Sequence, residues 1–241
     1  ERTADVMARR RHLAPVLLAC TLTAALSAAF WLGLVPPRFS PLAPLDLAHK
    51  DAWFLDLRLA ALRGDGALCQ AVLKERFITA SAVSDQAYKS GCGWHNGVRT
   101  TAAGGARLSA GQISCSMAAA LAMWIAHDVQ PEAERILGSK VVAIRHMGTY
   151  ACRNIAGSQA MKPFRSQHAT ANAIDIAGFG LANGSTVTVL NGWRSDDAKG
   201  RFLRSVKKAS CRYFRVSIGP DFNAAHANHF HFDRGAFTSC R

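Results

Sequence analysis

"AIDIAGFGLANGSTVTVL", residues 173–190, decides the architecture of this chain. Apolar residues recur through both halves, and Asn183-Gly184 between them is the commonest short hairpin signal. The stretch predicts two antiparallel strands. Side chains alternate across a strand, so Ile174 and Ile176 face one way and Asp175 the other. "HFHFD" at 229–233 repeats the arrangement: Phe230 and Phe232 turn to a core, while His229, His231 and Asp233 share the opposite face. "YFRVSI" at 213–218 and "VVAI" at 141–144 supply two more strands.

Helical spacing surrounds these strands. Residues 51–82 predict two short helices on either side of "GDG". Ile113, Met117, Leu121, Trp124, Ile125 and Val129 recur at steps of three and four, which predicts a longer helix capped at Ser109, with Trp124 and Met117 as core packing. Pro131 ends or restarts it. Ser195-Asp196-Asp197 opens an amphipathic helix with Phe202, Leu203 and Val206 inward and Lys199, Arg204, Lys207 and Lys208 outward. Residues 86–108 are rich in turn formers and hold a short hairpin at most. The expected fold is a small α+β domain with a mainly antiparallel sheet and flanking helices.

The first 35 residues address the compartment. "ARRRH" precedes residues 13–35, which carry no charge and span about 35 Å as a helix, enough for a bilayer core. Arginines before the segment stay cytoplasmic, so everything after Val35 is expected outside. The reading is a single-pass membrane anchor with the domain on the outer side; a cleaved signal, for which "LSAA" offers small residues, is the alternative. "PPRFSPLAPLD" at 36–46 makes residues 36–50 a proline-rich spacer, leaving residues 51–241 as the domain.

The charge bounds the partners. The chain carries a formal +13, of which Arg2, Arg9, Arg10 and Arg11 against Glu1 and Asp5 account for little. A domain this basic favours polyanions (nucleic acid, an anionic lipid surface or an acidic cell-wall polymer), and charge alone does not choose among them. Nucleic acid is disfavoured, because no basic run is interleaved with aromatics. Oligomeric state leaves no mark in the sequence.

Cysteine usage agrees with export. Cys20 falls in the anchor; Cys69, Cys92, Cys115, Cys152, Cys211 and Cys240 read as three disulfides, with sequential pairing expected. That leaves no free thiol in the domain for a cysteine nucleophile, and no Gly-x-Ser-x-Gly elbow marks a serine hydrolase.

The chemistry lies in "SQHATANAID", residues 166–175, and "HANHFHFD", residues 226–233. Laying the two strands side by side puts two histidines and one or two carboxylates on one surface. A buried carboxylate beside imidazoles calls for a cation, and zinc accepts such N and O donors. Three protein ligands leave a fourth position for water. Ion pairing of His168 with Asp175, or a hydrogen-bonded loop anchor, is the plainer alternative. The other histidines, His12, His49, His95, His127 and His146, read as ordinary polar residues.

"SQHATANAID" resembles the S-x-H-x-x-G-x-A-x-D signature of the D-alanyl-D-alanine metallopeptidases, and "HFH" resembles the H-x-H of the lysostaphin, carboxypeptidase and hedgehog superfamily. From "CGWHNGVR" through "YACRN", "AIDIAGF", "NGW", "FLRSV" and "NHFHFD", roughly residues 65–241, the chain is similar to the bacterial extensin-like C-terminal domain family. The resemblance implies a hedgehog/D-Ala-D-Ala-peptidase-like fold and zinc held by His168, Asp175 and His231. It implies that His229 acts on the zinc-bound water or the developing oxyanion, with Ser166 supporting the ligand loop. Arg153 or Arg165 would hold a substrate carboxylate or polarise the scissile carbonyl. The resemblance also implies a bacterial inner membrane for the anchor and a periplasmic domain facing peptidoglycan or another anionic envelope polymer. Two departures matter. The signature glycine is Ala171, which requires a negative φ there. The glutamate three residues before the last ligand is Asn228, and no glutamate follows Glu134, so the general base falls to Asp233 or Asp221, or to His229 or His226. The implied activity is zinc-dependent hydrolysis of peptidoglycan amide bonds, or wall binding without turnover.

Overall fold

The computed structural model describes residues 2–36, 39, 43–50, 53–157 and 159–241, with side chains from residue 14 onward. Helix α1 (Arg2–Trp31) contains the window Ala14–Trp31, none of which is buried among the described residues. Its 18 residues have a mean hydropathy of 1.7. Among the described residues it is the helix long and apolar enough to cross a membrane.

The domain is α+β, built on a mixed nine-stranded sheet. Its strands are β1 (Ile78–Ala82), β4 (Gly97–Ala103), β5 (Ala106–Ser114), β6 (Val141–His146), β7 (Ala173–Leu181), β8 (Thr186–Thr188), β9 (Val216–Ile218), β10 (Phe230–Asp233) and β11 (Ser239–Cys240). The order is β1-β4-β5-β6-β7-β10-β9-β11, with β8 also on β7. Most neighbours run antiparallel; β5 with β6 and β9 with β11 run parallel. A separate hairpin pairs β2 (Gln86–Lys89) with β3 (Cys92–Trp94).

Residues 86–108 therefore hold far more than one hairpin. β4 and β5 meet at the facing pair Ala103 and Ala106, joined by Gly104-Gly105 alone. Both glycines have positive φ, 56° and 83°, as a two-residue turn matched to strand twist demands. A Cβ on Gly104 would also stand 2.5 Å from that of Ile125, so the turn lies directly on the helix.

Because β5 runs on through Ser114, Ser109 caps nothing. Helix α4 (Cys115–Trp124) begins after Ser114, whose Oγ accepts from the Met117 N–H at 3.2 Å. One π turn, Ile125–Val129, then leads into α5 (Gln130–Leu137). Pro131 lies in the first turn of α5, directly after the π turn, and the backbone stays helical through Val129 and Gln130, so the proline neither ends nor restarts the helix, which stops at Gly138 with φ 64°. The α4–α5 segment is the crossover between parallel β5 and β6.

The core sits between α4 and one face of the sheet. Ile174, Ile176, Phe179, Phe230 and Phe232 are all buried on that face. Trp124 is its hub: its ring meets Phe232 at 5.1 Å and Phe179 and Phe214 at 6.1 Å, and its Nε1 donates to Val206 O at 2.9 Å. Helices α2 (Leu55–Gly64) and α3 (Gly66–Val72) form around the "GDG", with Asp65 capping the second. A short helix α6 (Val189–Gly192) precedes α7 (Ala198–Ser210), which starts at Asp197 and buries Phe202, Leu203 and Val206 as the pattern predicts. Lys207 departs from it: only 7% of it is exposed, its stem passing Gly219 where no side chain stands in the way. "YFRVSI" yields only the three residues of β9, because Tyr213 turns its hydroxyl inward to Asp128 Oδ2 at 2.6 Å.

The disulfides join Cys69 to Cys115, Cys92 to Cys152 and Cys211 to Cys240. Sequential pairing holds only for the last. Cys69 on α3 faces the start of α4, and the β2–β3 hairpin folds across the loop that carries Cys152, so chain neighbours are not spatial neighbours here. Cys20 lies free on α1.

Candidate metal centre

The sheet face opposite the core carries the site. β10 and β7 pair antiparallel in a register that sets His231 directly against Asp175 and Phe232 against Ile174. A one-residue slip would send both polar side chains into the core, so the buried isoleucines and phenylalanines fix the pairing. His168 enters from the β6–β7 connection on a 3-10 turn, Gln167–Thr170. Ser166 Oγ accepts from the His168 N–H at 3.3 Å, and the next residues tie the turn to α4: Ser114 N donates to Ala171 O at 2.6 Å and Ser114 Oγ to Asn172 Oδ1 at 2.8 Å.

Ala171 closes this turn at φ 51°, ψ 28°, in the left-handed region. The negative φ expected from the missing glycine is not what the chain adopts. The turn imposes the conformation: Ala171 N returns to His168 O at 3.1 Å while its carbonyl is held by Ser114. Left-handed backbone costs a non-glycine residue about 1–2 kcal/mol. Ala171→Gly removes that strain but loses a buried methyl worth about 0.8 kcal/mol and adds backbone entropy of about 0.4–1 kcal/mol to the unfolded chain. The terms nearly cancel, so this variant is expected within about 0.5 kcal/mol of the native protein in chemical denaturation. Ala171→Val, β-branched and overpacked at a fully buried site, is expected to lose about 3 kcal/mol.

Three donors converge. His168 Nε2 lies 3.2 Å from Asp175 Oδ2 and 3.3 Å from His231 Nδ1, and His231 Nδ1 lies 2.9 Å from Asp175 Oδ1. Their far nitrogens have partners of their own. His168 Nδ1 is 3.3 Å from Thr149 O, and His231 Nε2 is 3.1 Å from Asp233 Oδ2. A proton on each of those far atoms leaves both near nitrogens as lone pairs aimed at one point. Metal–nitrogen and metal–oxygen bonds of about 2.0–2.2 Å in a tetrahedron place donors about 3.3–3.6 Å apart. The two imidazole nitrogens, 3.3 Å apart, match that edge. The 3.2 and 2.9 Å contacts run to different Asp175 oxygens, and one ligand atom from each residue lies within 4.8 Å of the others, a donor set that suits a zinc-type cation.

The electrostatics point the same way. Burial alone would raise the Asp175 carboxyl, but hydrogen bonds from His168 and His231 and their charge hold it well below the usual carboxylate range. Burial likewise works against charge on His231, yet Asp175 and Asp233 outweigh it and push the imidazole up to about 9. Without a metal, a proton on His231 supplies the positive charge that the two carboxylates require.

The remaining candidates take distinct places. His229 Nε2 lies 3.6 Å from Asp175 Oδ1 and its Nδ1 2.8 Å from Asn228 Oδ1; burial first, then the neighbouring imidazoles, lowers its pKa. His226, ring to ring 5.1 Å from His229, is pushed down to about 4 by burial and by His231 and His229, with Nδ1 at 2.6 Å from Asn223 Oδ1. Asp233 stands behind His231 and also accepts from the Gly235 N–H at 2.8 Å. Asp221 is taken by the Trp193 indole at 2.9 Å and Arg194 at 3.8 Å. Arg165 is bound to Ser90 O and Asn154 Oδ1, each at 2.9 Å, whereas the charge of Arg153 reaches His226 and His229. Thr149 went unnoticed in the sequence because it acts through its carbonyl. Asn228 and Asn223 stood beside the histidines as legible hydrogen-bond partners. Of the other histidines, His49 pairs with Asp46 and His95 with Asp85, both as exposed contacts.

The family model of the extensin-like protein C-terminus matches residues 67–241. No curated protein and no solved structure matches the chain.

Proposed function

The chain belongs to the extensin-like C-terminal family, and from that premise we propose a membrane-anchored, zinc-dependent hydrolase of peptidoglycan amide bonds, working in the periplasm. The observation that carries the reading is the donor triad of His168, Asp175 and His231, whose ligand atoms, one from each residue, lie within 4.8 Å of one another. Zinc bound there would bring the pKa of a water down to about 7 and polarise an amide carbonyl.

The chain's own groups then have separable tasks. His168 and His231 present lone pairs because Thr149 O and Asp233 Oδ2 hold their other nitrogens. Asp175 supplies the negative charge. His229 is kept neutral by its burial, with Nδ1–H directed to Asn228 and Nε2 directed into the site. That orientation lets Nε2 accept a proton from an attacking water and return it to a leaving amine. Asp233, standing behind His231, is a positioning residue rather than the base. Arg153, on the same side as His226 and His229, is better placed than Arg165 to meet a substrate carboxylate.

Asn228, where the related peptidases carry glutamate, favours the second reading, a zinc-containing wall-binding module without turnover. One experiment separates them: full-length protein, loaded with zinc, incubated with muropeptides near neutral pH. Released peptide or amino acid supports the hydrolase; binding to wall sacculi without any product supports the module. Asp233→Asn is expected to weaken zinc binding about 10- to 100-fold, the usual effect of losing a carboxylate behind a ligating histidine. A chelator competition titration measures it, and an unchanged constant would remove Asp233 from the metal-supporting role.

A further inference from the structure

A second polar site lies farther along the same sheet face. Parallel β5 and β6 enclose a groove of about 350 Å3, lined by Arg107, Ser109, Ala143, Ile144, Arg145 and His146. Arg107 is in register with Ala143, so alternation puts Arg107, Ser109, Ala143 and Arg145 on one face. The β6–β7 register shifts between Arg145 and His146, skipping Ala177, so Arg145 stands opposite Gly178 of β7, away from buried Ile144 and Phe179 and on the face that Asp175 also occupies. Three residues of strand separate Gly178 from Asp175, about 10 Å.

The groove is positive with nothing to balance it. Between Asp85 and Asp128, and again between Glu134 and Asp175, the sequence contains no carboxylate side chain. Those intervals supply β4, β5 and β6. Among the described residues no carboxylate comes within ion-pair range of Arg107 or Arg145, and both are exposed. His146 places Nε2 at 3.0 Å from Ser109 O and buries Nδ1 without a partner among the described residues. Like charges on neighbouring strands repel. Two such arginines beside the Ser109 hydroxyl, in a concave site, form a cradle for planar or tetrahedral oxygens.

We propose that this groove binds an oxyanion, the carboxylate or phosphate group of an anionic ligand. Arg107 and Arg145 grip it from adjacent strands, and Ser109 Oγ donates a third hydrogen bond. The inference is independent of the hydrolase reading, since no metal enters it. If both hold, a ligand bound here by its acidic group lies about 10 Å of strand from the donor triad.

Arginine footprinting tests it on the full chain in nonionic detergent, stripped of metal and then freed of chelator. Phenylglyoxal labelling at each arginine is followed by peptide mass spectrometry, with inorganic phosphate in one arm and acetate in the other at equal ionic strength. For a simple oxyanion the dissociation constant is expected on the order of millimolar. At about threefold that concentration, labelling of Arg107 and Arg145 should slow about fourfold, while exposed Arg99 on β4 is unaffected. Protection by phosphate alone identifies a phosphate site, by acetate alone a carboxylate site, and by both an unselective oxyanion site. No protection in either arm overturns the proposal, as does equal slowing of all exposed arginines. Arg107→Gln should abolish protection of Arg145; full protection of Arg145 in that variant also overturns a shared site.

Discussion

Replacing His168 with alanine is expected to weaken zinc binding about 100- to 1,000-fold. Structural zinc sites with four ligands bind with about 10–16 kcal/mol, so each donor accounts for roughly 3–4 kcal/mol, and every 1.4 kcal/mol is a factor of ten. His168 is 2% exposed and its Nδ1 faces Thr149 O, so the substitution also strands a buried carbonyl. That adds about 1–3 kcal/mol of destabilisation even in metal-free protein. Asp175→Asn is the companion variant. It keeps the volume, removes the charge, and separates loss of a ligand from loss of the turn. Elemental analysis and competition with a chelating indicator measure both. Stoichiometric zinc retained with native affinity in His168→Ala, or absent from the parent protein, would leave the triad as a hydrogen-bonded cluster.

Much of this site was legible because it rests on strand alternation. "AIDI" and "HFHFD" each bury two large apolar side chains, which forces Asp175 and His231 to the other face whatever the rest of the chain does. The register that sets them opposite each other follows from the same burial. What escaped the sequence is whatever depends on tertiary hydrogen bonds. Thr149 orients His168 through a backbone carbonyl, which no side-chain pattern records. Ala171 adopts positive φ because its carbonyl is held by Ser114 and its N–H by His168, a constraint from two distant segments. Periodicity alone placed Ile113 on a helix with Ser109 as its cap, yet strand pairing with β4 carries β5 to Ser114. Gly104-Gly105 was a readable turn signal hidden among other small residues. The disulfides were countable but not connectable, since pairing depends on which loops overlie one another.

Trp124→Ala is expected to remove about 4–6 kcal/mol of stability. Truncating a buried aromatic costs about 3–5 kcal/mol through transfer and cavity together, and the loss of the indole N–H leaves the Val206 carbonyl of α7 without its 2.9 Å partner, about another 1 kcal/mol. A domain holds only about 5–15 kcal/mol in all, so this one residue accounts for a large share. Trp124→Phe keeps most of the ring volume and is expected to lose only about 1–2 kcal/mol, chiefly the hydrogen bond. Chemical denaturation of the disulfide-intact chain separates the two. The consequence reaches the other side of the sheet. Phe232, 5.1 Å from the Trp124 ring and stacked on Phe214 at 4.6 Å, lies on β10 between His231 and Asp233. A cavity behind Phe232 loosens the strand that presents both. Trp124→Ala should therefore weaken zinc binding as well, although no atom of Trp124 lies on the metal face, and Trp124→Phe should leave it near native. Equal zinc affinity in the two variants would show that the β7–β10 pairing holds the triad without support from the core.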